Sequence, residues 1–182
     1  TGTQVNAQTA NNMPMSYGSW NLSQKSQYLY LASDLYKMGM RAGPISSIAW
    51  EIRSLYNNSA APFNNFYIKI GCTKAADLPK SSGFITGLTD VFYPKSFLPS
   101  VGWNVHNFDR EYVWDGVSNL IVEVCWSNAP SRLFGHHSQT FDPTTYRSAS
   151  TAYQTTAWNS PPACPAANPI GGPTSMLPRT RF

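Results

Sequence analysis

Short runs of alternating apolar and polar residues, separated by proline and glycine, are the feature that most limits how this chain can fold. The clearest runs are FYIKIGCT at residues 66–73 and LIVEVCW at residues 120–126. Alternation with a period of two places one set of side chains on each face of a β-strand. Eight or more such short strands predict an all-β fold, a two-sheet antiparallel β-sandwich of jelly-roll type.

One short helix and one polar arm complete the predicted organisation. The run SDLYKMG offers Ser33 as a helix N-cap and Gly39 as a C-terminal stop, which predicts a short helix near residues 33–39. Residues 1–15 are polar and are interpreted as an N-terminal arm. A chain of 182 residues suits a single domain, which we place at residues 16–182.

The composition favours an extracellular β-rich protein over a helical cytosolic enzyme. Charged residues make up 12% of the chain and aromatic residues 14%, with frequent Pro and Gly. The formal charge of +4 comes from 13 scattered Lys and Arg residues, so nucleic acid is not an expected partner. No stretch approaches the roughly 20 apolar residues of a membrane helix, and the N-terminal residues lack a signal-peptide pattern. We therefore expect a mature, soluble chain without membrane insertion.

The three cysteines permit at most one internal disulfide. Cys72 shares the apolar face of FYIKIGCT, which predicts a buried, inert thiol. Cys125 shares a face with Glu123, so it faces outward and is available to Cys164 in the loop SPPACPAANP. The opposite face carries Leu120, Val122, Val124 and Trp126. We predict a Cys125–Cys164 disulfide, which requires an oxidising compartment such as the extracellular space.

Residues 102–126 concentrate four of the nine acidic residues, which raises the question of an active site. Asp109 and Glu111 share a strand face. Asp115 and Gly116 form a structural turn that predicts a β-hairpin. Nothing in this spacing makes the carboxylates converge, so we predict no catalytic residues. Calcium binding by Asp109, Glu111 and Asp115 is the alternative use of these oxygens, although their spacing matches no calcium-loop motif.

Other motifs of catalytic or cofactor sites are missing from the sequence. His136 and His137 are adjacent, so on a strand they point to opposite faces and cannot chelate one ion as a pair. There is no Gly-x-Ser-x-Gly nucleophile elbow, and no lysine follows the glycines of IGGP. These observations disfavour covalent catalysis and nucleotide chemistry, and they predict no cofactor apart from the calcium alternative.

The six tryptophans divide into two groups by their surroundings. Trp50, Trp114 and Trp126 lie in strand patterns and are expected in the core. Three others neighbour loops, where an exposed ring could stack on a sugar. A glycan-stacking surface, if the chain has one, is therefore expected at Trp20, Trp103 and Trp158.

Several blocks of the chain resemble a β-sandwich domain of secreted and surface proteins of Bacteroidota. The blocks are QYLYLASDLYKMGMRAGPISSIAWEI, FYIKIGCT, GWNVHNFDREYVWDGVSNLIVEVCW and PRTRF, and the resemblance covers roughly residues 15–182. The most specific is WDG followed by SN and the strand that ends at Cys125. The resemblance implies an adhesin-like domain, often exported by the type IX system, with a second late cysteine that Cys164 matches and no catalytic set. Cys72 departs from the pattern.

These observations lead to one main functional hypothesis and two alternatives. The surface lacks the abundant Lys and Glu that usually protect sheet edges, and the arm could either dock on its own sandwich or add a strand to a neighbour. We therefore expect a non-catalytic structural or adhesive surface module that assembles with copies of itself into a fibre or surface layer. The alternatives are a carbohydrate-binding module, or a secreted glycan hydrolase with two carboxylates facing across a cleft.

Overall fold

The computed structural model describes residues 3–5, 15–18, 21–55, 61–80, 83–128, 137–154, 164, 166–170 and 172–182. The elements found there are eleven strands and one helix. In chain order they are β1 (Thr3–Val5), β2 (Ser23–Tyr30), α1 (Ala32–Lys37), β3 (Gly43–Ser54), β4 (Phe63–Thr73), β5 (Thr89–Phe97), β6 (Gly102–Trp114), β7 (Asn119–Ser127), β8 (Ser138–Pro143), β9 (Ala149–Gln154), β10 (Met176–Pro178) and β11 (Thr180–Arg181).

The strands form two antiparallel sheets packed face to face, so the predicted all-β sandwich is confirmed. The first sheet has the order β1-β8-β3-β11, with β10 also on β8 and β6 also on β3. The second sheet has the order β5-β4-β7-β2-β9. Most neighbours are far apart in sequence, which is the pattern expected of a sandwich rather than of a simple meander.

The core lies between the two sheets and is rich in aromatic rings. Trp50, Trp114 and Trp126 are all at most 1% exposed, which confirms their predicted place in the core. The inward face of β7 supplies aliphatic side chains to the same cluster. Each fully buried large apolar side chain contributes about 1.5–3 kcal/mol relative to an exposed one, so this cluster holds the two sheets together.

The turn at Asp115 and Gly116 is present, but the predicted hairpin is wrong. β6 pairs with β3 in the first sheet, whereas β7 pairs with β2 and β4 in the second. The turn therefore carries the chain across the sandwich. The Asp115 carboxylate accepts hydrogen bonds from the Val117 and Ser118 amides at 2.9 and 2.8 Å and from the Ser118 hydroxyl at 2.6 Å. Gly116 has a φ of 77°, which favours glycine.

A layer of loop residues covers the outward face of the second sheet. We call residues 75–80, 83–88 and 166–170 the cover layer. The Gln27 side-chain amide exchanges two hydrogen bonds with the Ile85 backbone, at 2.7 and 2.9 Å. Beside it, Lys25 donates to the Ala166 carbonyl and forms an ion pair with Glu123 at 3.4 Å. Because this layer excludes water, the outward face of β7 is buried as well.

The predicted disulfide is confirmed, and it holds the late loop to this covered face. Cys125 on β7 is bonded to Cys164, with a Cα–Cα distance of 5.7 Å. Cys125 does point away from the core between the sheets, as the alternation indicated, but it is fully buried. The disulfide thus fastens the chain next to the cover layer to the central strand of the second sheet.

The helix begins one residue earlier than predicted and is not capped by Ser33. α1 spans Ala32–Lys37, and its N-cap residue Leu31 makes no side-chain capping hydrogen bond. The Ala32 amide instead donates to the Asn119 side chain at 2.8 Å. The stop at Gly39, which has a φ of 91°, agrees with the sequence prediction. Within the described part of the chain, no helix is long and apolar enough to cross a membrane.

Candidate functional site

The N-terminal arm contributes an edge strand to the first sheet. β1 pairs antiparallel with β8 in the register Thr3–Phe141, Gln4–Thr140 and Val5–Gln139. The opposite side of β8 is occupied by β3 and β10. In this structure the arm therefore docks on its own sandwich, which was one of the two arrangements expected from the sequence. We call the side of β8 that receives β1 the β8 edge.

Residues 15–18 fix the base of the arm, and we call them the arm root. Tyr17 is fully buried, and its hydroxyl forms a hydrogen bond with Nε2 of His106 at 2.6 Å. The Tyr17 amide donates to the Gln139 side chain at 3.5 Å. Met15 is buried in a small apolar cluster with Phe141. Both the tip and the root of the arm therefore lie against β8.

The ring of Tyr17 is packed among other aromatic rings of the core. It stacks on Phe66 and Phe97 with centroid distances of 5.9 and 5.8 Å, and it meets Trp50 edge-on at 6.1 Å. Each such pair contributes about 0.5–1.5 kcal/mol beyond the buried area. The arm root is therefore part of the core rather than a loose extension.

The hydrogen-bonded pair of Tyr17 and His106 is electrically neutral at physiological pH. Burial, with a smaller effect from the Lys95 charge, lowers the pKa of His106 to about 3. Burial, and then the neighbouring Tyr28, raises the pKa of Tyr17 well above its ordinary value. Neither group titrates in the range where an acid/base catalyst operates, so the geometry supports a structural role for this pair.

Two other sheet edges make contacts with side chains or loops of the same chain. At one edge the Asp109 carboxylate on β6 accepts hydrogen bonds from the Tyr93 amide of β5 at 2.7 Å and from Lys95 at 2.8 Å. At β9, Ile170 donates to the Thr151 carbonyl at 2.7 Å. The β8 edge differs from these two, because a strand of the N-terminal arm completes it.

The three acids considered for calcium form no metal-binding group among the described residues. The hydrogen bonds to Lys95 and then to the Tyr93 amide lower the pKa of Asp109. Asp115 accepts the hydrogen bonds of its own turn, and those from Ser118, then Val117, lower its pKa. Glu111 is exposed on β6. The described part of the chain contains no group of three His, Cys, Asp or Glu side chains able to hold a metal ion.

Of the three tryptophans predicted to stack on sugars, one can be placed. Trp103 is half-buried, and the Arg181 guanidinium lies 3.8 Å from its ring centroid. That cation occupies a position over the ring where a sugar would stack. Trp20 and Trp158 lie outside the described residues, as does His136. The adjacent His137 is buried.

Cys72 is exposed, so the prediction of a buried thiol is wrong. Its position near the end of β4 explains the difference, since Ile68 and Ile70 earlier in the strand are fully buried. The nearest partner is the Tyr112 hydroxyl on β6, at 3.2 Å from the sulfur. Strand alternation gives the face of a residue, but it does not show where the opposing sheet ends.

A groove beside α1 was not predicted from the sequence. Its volume is about 290 Å³, and its walls come from three stretches of the chain, residues 30–38, 142–146 and 177–180. The Asp34 carboxylate accepts from Tyr146 at 3.2 Å and from Lys37 at 2.9 Å, while Asp142 is paired with Arg179 at 2.9 Å. Both carboxylates on the groove wall are thus engaged with protein donors. No local motif could have identified the groove, because its residues are distant in sequence.

Comparison with protein-family models, with curated proteins and with solved structures found no match.

Proposed function

We propose that this chain is a non-catalytic, extracellular structural or adhesive module that assembles with copies of itself on a cell surface. The observation that carries the proposal is the first sheet, whose last strand is supplied by the N-terminal arm. Backbone pairing at a sheet edge is a common way to join protein chains, and it needs no specific side-chain chemistry. Repeated edge pairing between copies would produce a fibre or a layer.

Two further features support this function over catalysis. The Cys125–Cys164 disulfide fits a protein made for an oxidising compartment, where such bonds persist. Asp34, Asp109, Asp115 and Asp142 each accept hydrogen bonds from protein donors, as turn, edge and loop supports do. A rigid, disulfide-fastened sandwich is a suitable unit for a load-bearing or adhesive assembly.

The mass of the purified chain in solution tests the proposal. We expect multi-angle light scattering to show species larger than one chain of 20.1 kDa, in an amount that rises with concentration. The matched variant lacks residues 1–5 and keeps the arm root, so its core stays intact, and we expect it to remain monomeric. A full-length chain that is monomeric at all concentrations would contradict the proposal, and a glycan-binding screen would then test the carbohydrate-binding alternative.

A further inference from the structure

We propose that β1 of one copy leaves its own sandwich and adds to the β8 edge of a second copy. This inference rests on the proposed function, and it names the partner and the two surfaces that join. The donor is the backbone of residues 3–5, and the acceptor is the stretch of β8 from Gln139 to Phe141. The proposal stands on four features of the arm and of the edge that receives it.

The first feature is the length of the segment between β1 and the arm root. Val5 pairs with Gln139, and the Tyr17 amide donates to the side chain of the same Gln139. The two ends therefore meet at one place, so a short turn would suffice to connect them. Residues 6–14, which we call the connector, could extend over roughly 30 Å at about 3.3 Å per residue. This length is enough to reach a neighbouring molecule.

The second feature is the difference in anchoring between the tip and the root of the arm. β1 is held by three backbone pairs on one side, whereas β2 makes eight pairs with β7 and further pairs with β9. The arm root is fixed by the buried Tyr17 and Met15. A segment detaches most readily where its stability is lowest, so β1 would exchange while the root stays in its own core.

The third feature is the chemistry of the acceptor. Strand edges are usually protected by exposed charges, by proline, or by a covering segment. The residues of β8 that pair with β1 are Gln139, Thr140 and Phe141, none of which is charged. The nearby Asp142 is paired with Arg179 through two hydrogen bonds, at 2.9 and 3.3 Å. Once β1 departs, this stretch offers free backbone groups and no repelling charge to an incoming strand.

The fourth feature is that exchange conserves the hydrogen bonds. A β1 strand from a second copy would make the same backbone pairs on β8 as the chain's own strand. Exchange therefore needs no new interface. The equilibrium between pairing within one chain and pairing between two chains depends on how the protein concentration compares with the effective concentration of the tethered strand. If each copy donates β1 to the next copy and receives β1 from the one before, the chain of copies can grow into a fibre. If two copies exchange β1 with each other, the result is a closed dimer.

Cross-linking between two different chains, each with one free cysteine besides the Cys125–Cys164 disulfide, tests the exchange. Both chains carry Cys72→Ser to remove the exposed thiol; one also carries Gln4→Cys and the other Thr140→Cys. These positions face each other in the register of β1 and β8, at a separation that a disulfide can span. A bond between the two chains can form only in trans. The matched control pairs the Gln4→Cys chain with a chain carrying Asn107→Cys, an exposed position on β6.

The two chains are refolded together and then oxidised. We expect the yield of cross-linked dimer to be several-fold higher than in the control mixture, with the 4–140 bond identified by peptide mass spectrometry. A second experiment uses one chain that carries both substitutions. In this chain, a disulfide between positions 4 and 140 of the same molecule reports pairing in cis. If light scattering shows assembly but the 4–140 bond forms only in cis, the exchange is overturned while self-association stands. If light scattering shows no assembly, the proposed function itself has failed.

Discussion

Tyr17 links the arm to the core through one hydroxyl and one ring. The ring stacks on Phe66 and Phe97, and the hydroxyl satisfies Nε2 of His106, which is 1% exposed. A buried polar atom that loses its partner costs about 1–3 kcal/mol. The pair therefore makes the arm root dependent on a neutral histidine.

The protonation of His106 gives the first prediction at this scale. Its pKa is about 3 in the folded chain, because of burial and then the Lys95 charge, whereas an unfolded histidine has a pKa near 6.5. Between these values the unfolded chain binds a proton that the folded chain does not. The stability contributed by neutral His106 is therefore complete above about pH 6.5 and is lost as the pH falls towards 3. We expect the free energy of unfolding, measured in urea, to fall by up to about 1.4 kcal/mol per pH unit in this window.

His106→Gln is the control for this titration. Glutamine keeps a hydrogen-bonding group near Tyr17 but does not take up a proton. We expect the variant to be less stable at neutral pH, with a flatter dependence on pH. Asp109 and Asp115 also have lowered pKa values, but unfolded aspartates protonate near pH 3.9, at the acid end of the window. An equally steep slope in the variant would show that other groups cause the loss of stability.

At the scale of elements, the sequence predicted correctly which face of a strand a side chain occupies, but it did not predict which strands pair. The alternation in β7 gave the inward tryptophan and the outward cysteine correctly, because side-chain direction is a local property of a strand. The Asp115–Gly116 turn was identified, but the strands around it were assigned to one hairpin, and they lie in two sheets. A turn dipeptide fixes a change of direction, and it carries no information about which distant strand will pair.

The same distinction explains the outcome for the candidate sites. Asp109 was considered for calcium, but its partners are Lys95 and the Tyr93 amide on β5, which no motif indicates. The pairing of β1 with β8 joins segments that are far apart in sequence, so it depends on the completed sandwich. The groove beside α1 could not be predicted from the sequence for the same reason. Residue types and faces are local, whereas sites assembled from distant strands follow from tertiary packing.

The disulfide gives a prediction at the scale of elements. It closes a loop of 39 residues, for which the chain-entropy relation gives about 4 kcal/mol. We expect Cys125→Ala with Cys164→Ala to lower the free energy of unfolding in urea by about 2–4 kcal/mol. Reduction of the native protein should have a similar effect.

Cys72→Ser is the matched control, since Cys72 is exposed and outside the disulfide. We expect its stability to lie within about 0.5 kcal/mol of the native chain. Cys72 lies on β4, next to β7 in the same sheet, so both substitutions probe the second sheet. If the double variant were as stable as this control, the disulfide would not be holding the loop against the sheet.

For the whole molecule, the sandwich combines a rigid body with a weakly held strand in its N-terminal arm. The aromatic core, the cover layer and the disulfide hold the long strands together, whereas β1 rests on three backbone pairs. Such a division lets the body stay folded while the tip exchanges. The connector then controls assembly, because its length sets how easily β1 returns to its own β8.

Shortening the connector should therefore reduce assembly. Deleting residues 8–12 leaves four residues between Val5 and Met15, which is enough for a turn within one chain but extends over only about 13 Å. We expect the assembled fraction, measured by light scattering at equal concentration, to fall below that of the native chain. A variant with residues 8–12 replaced by glycine and serine keeps the length and should behave like the native protein. A shortened chain that assembles as much as the native protein would mean that assembly uses a surface other than the β8 edge.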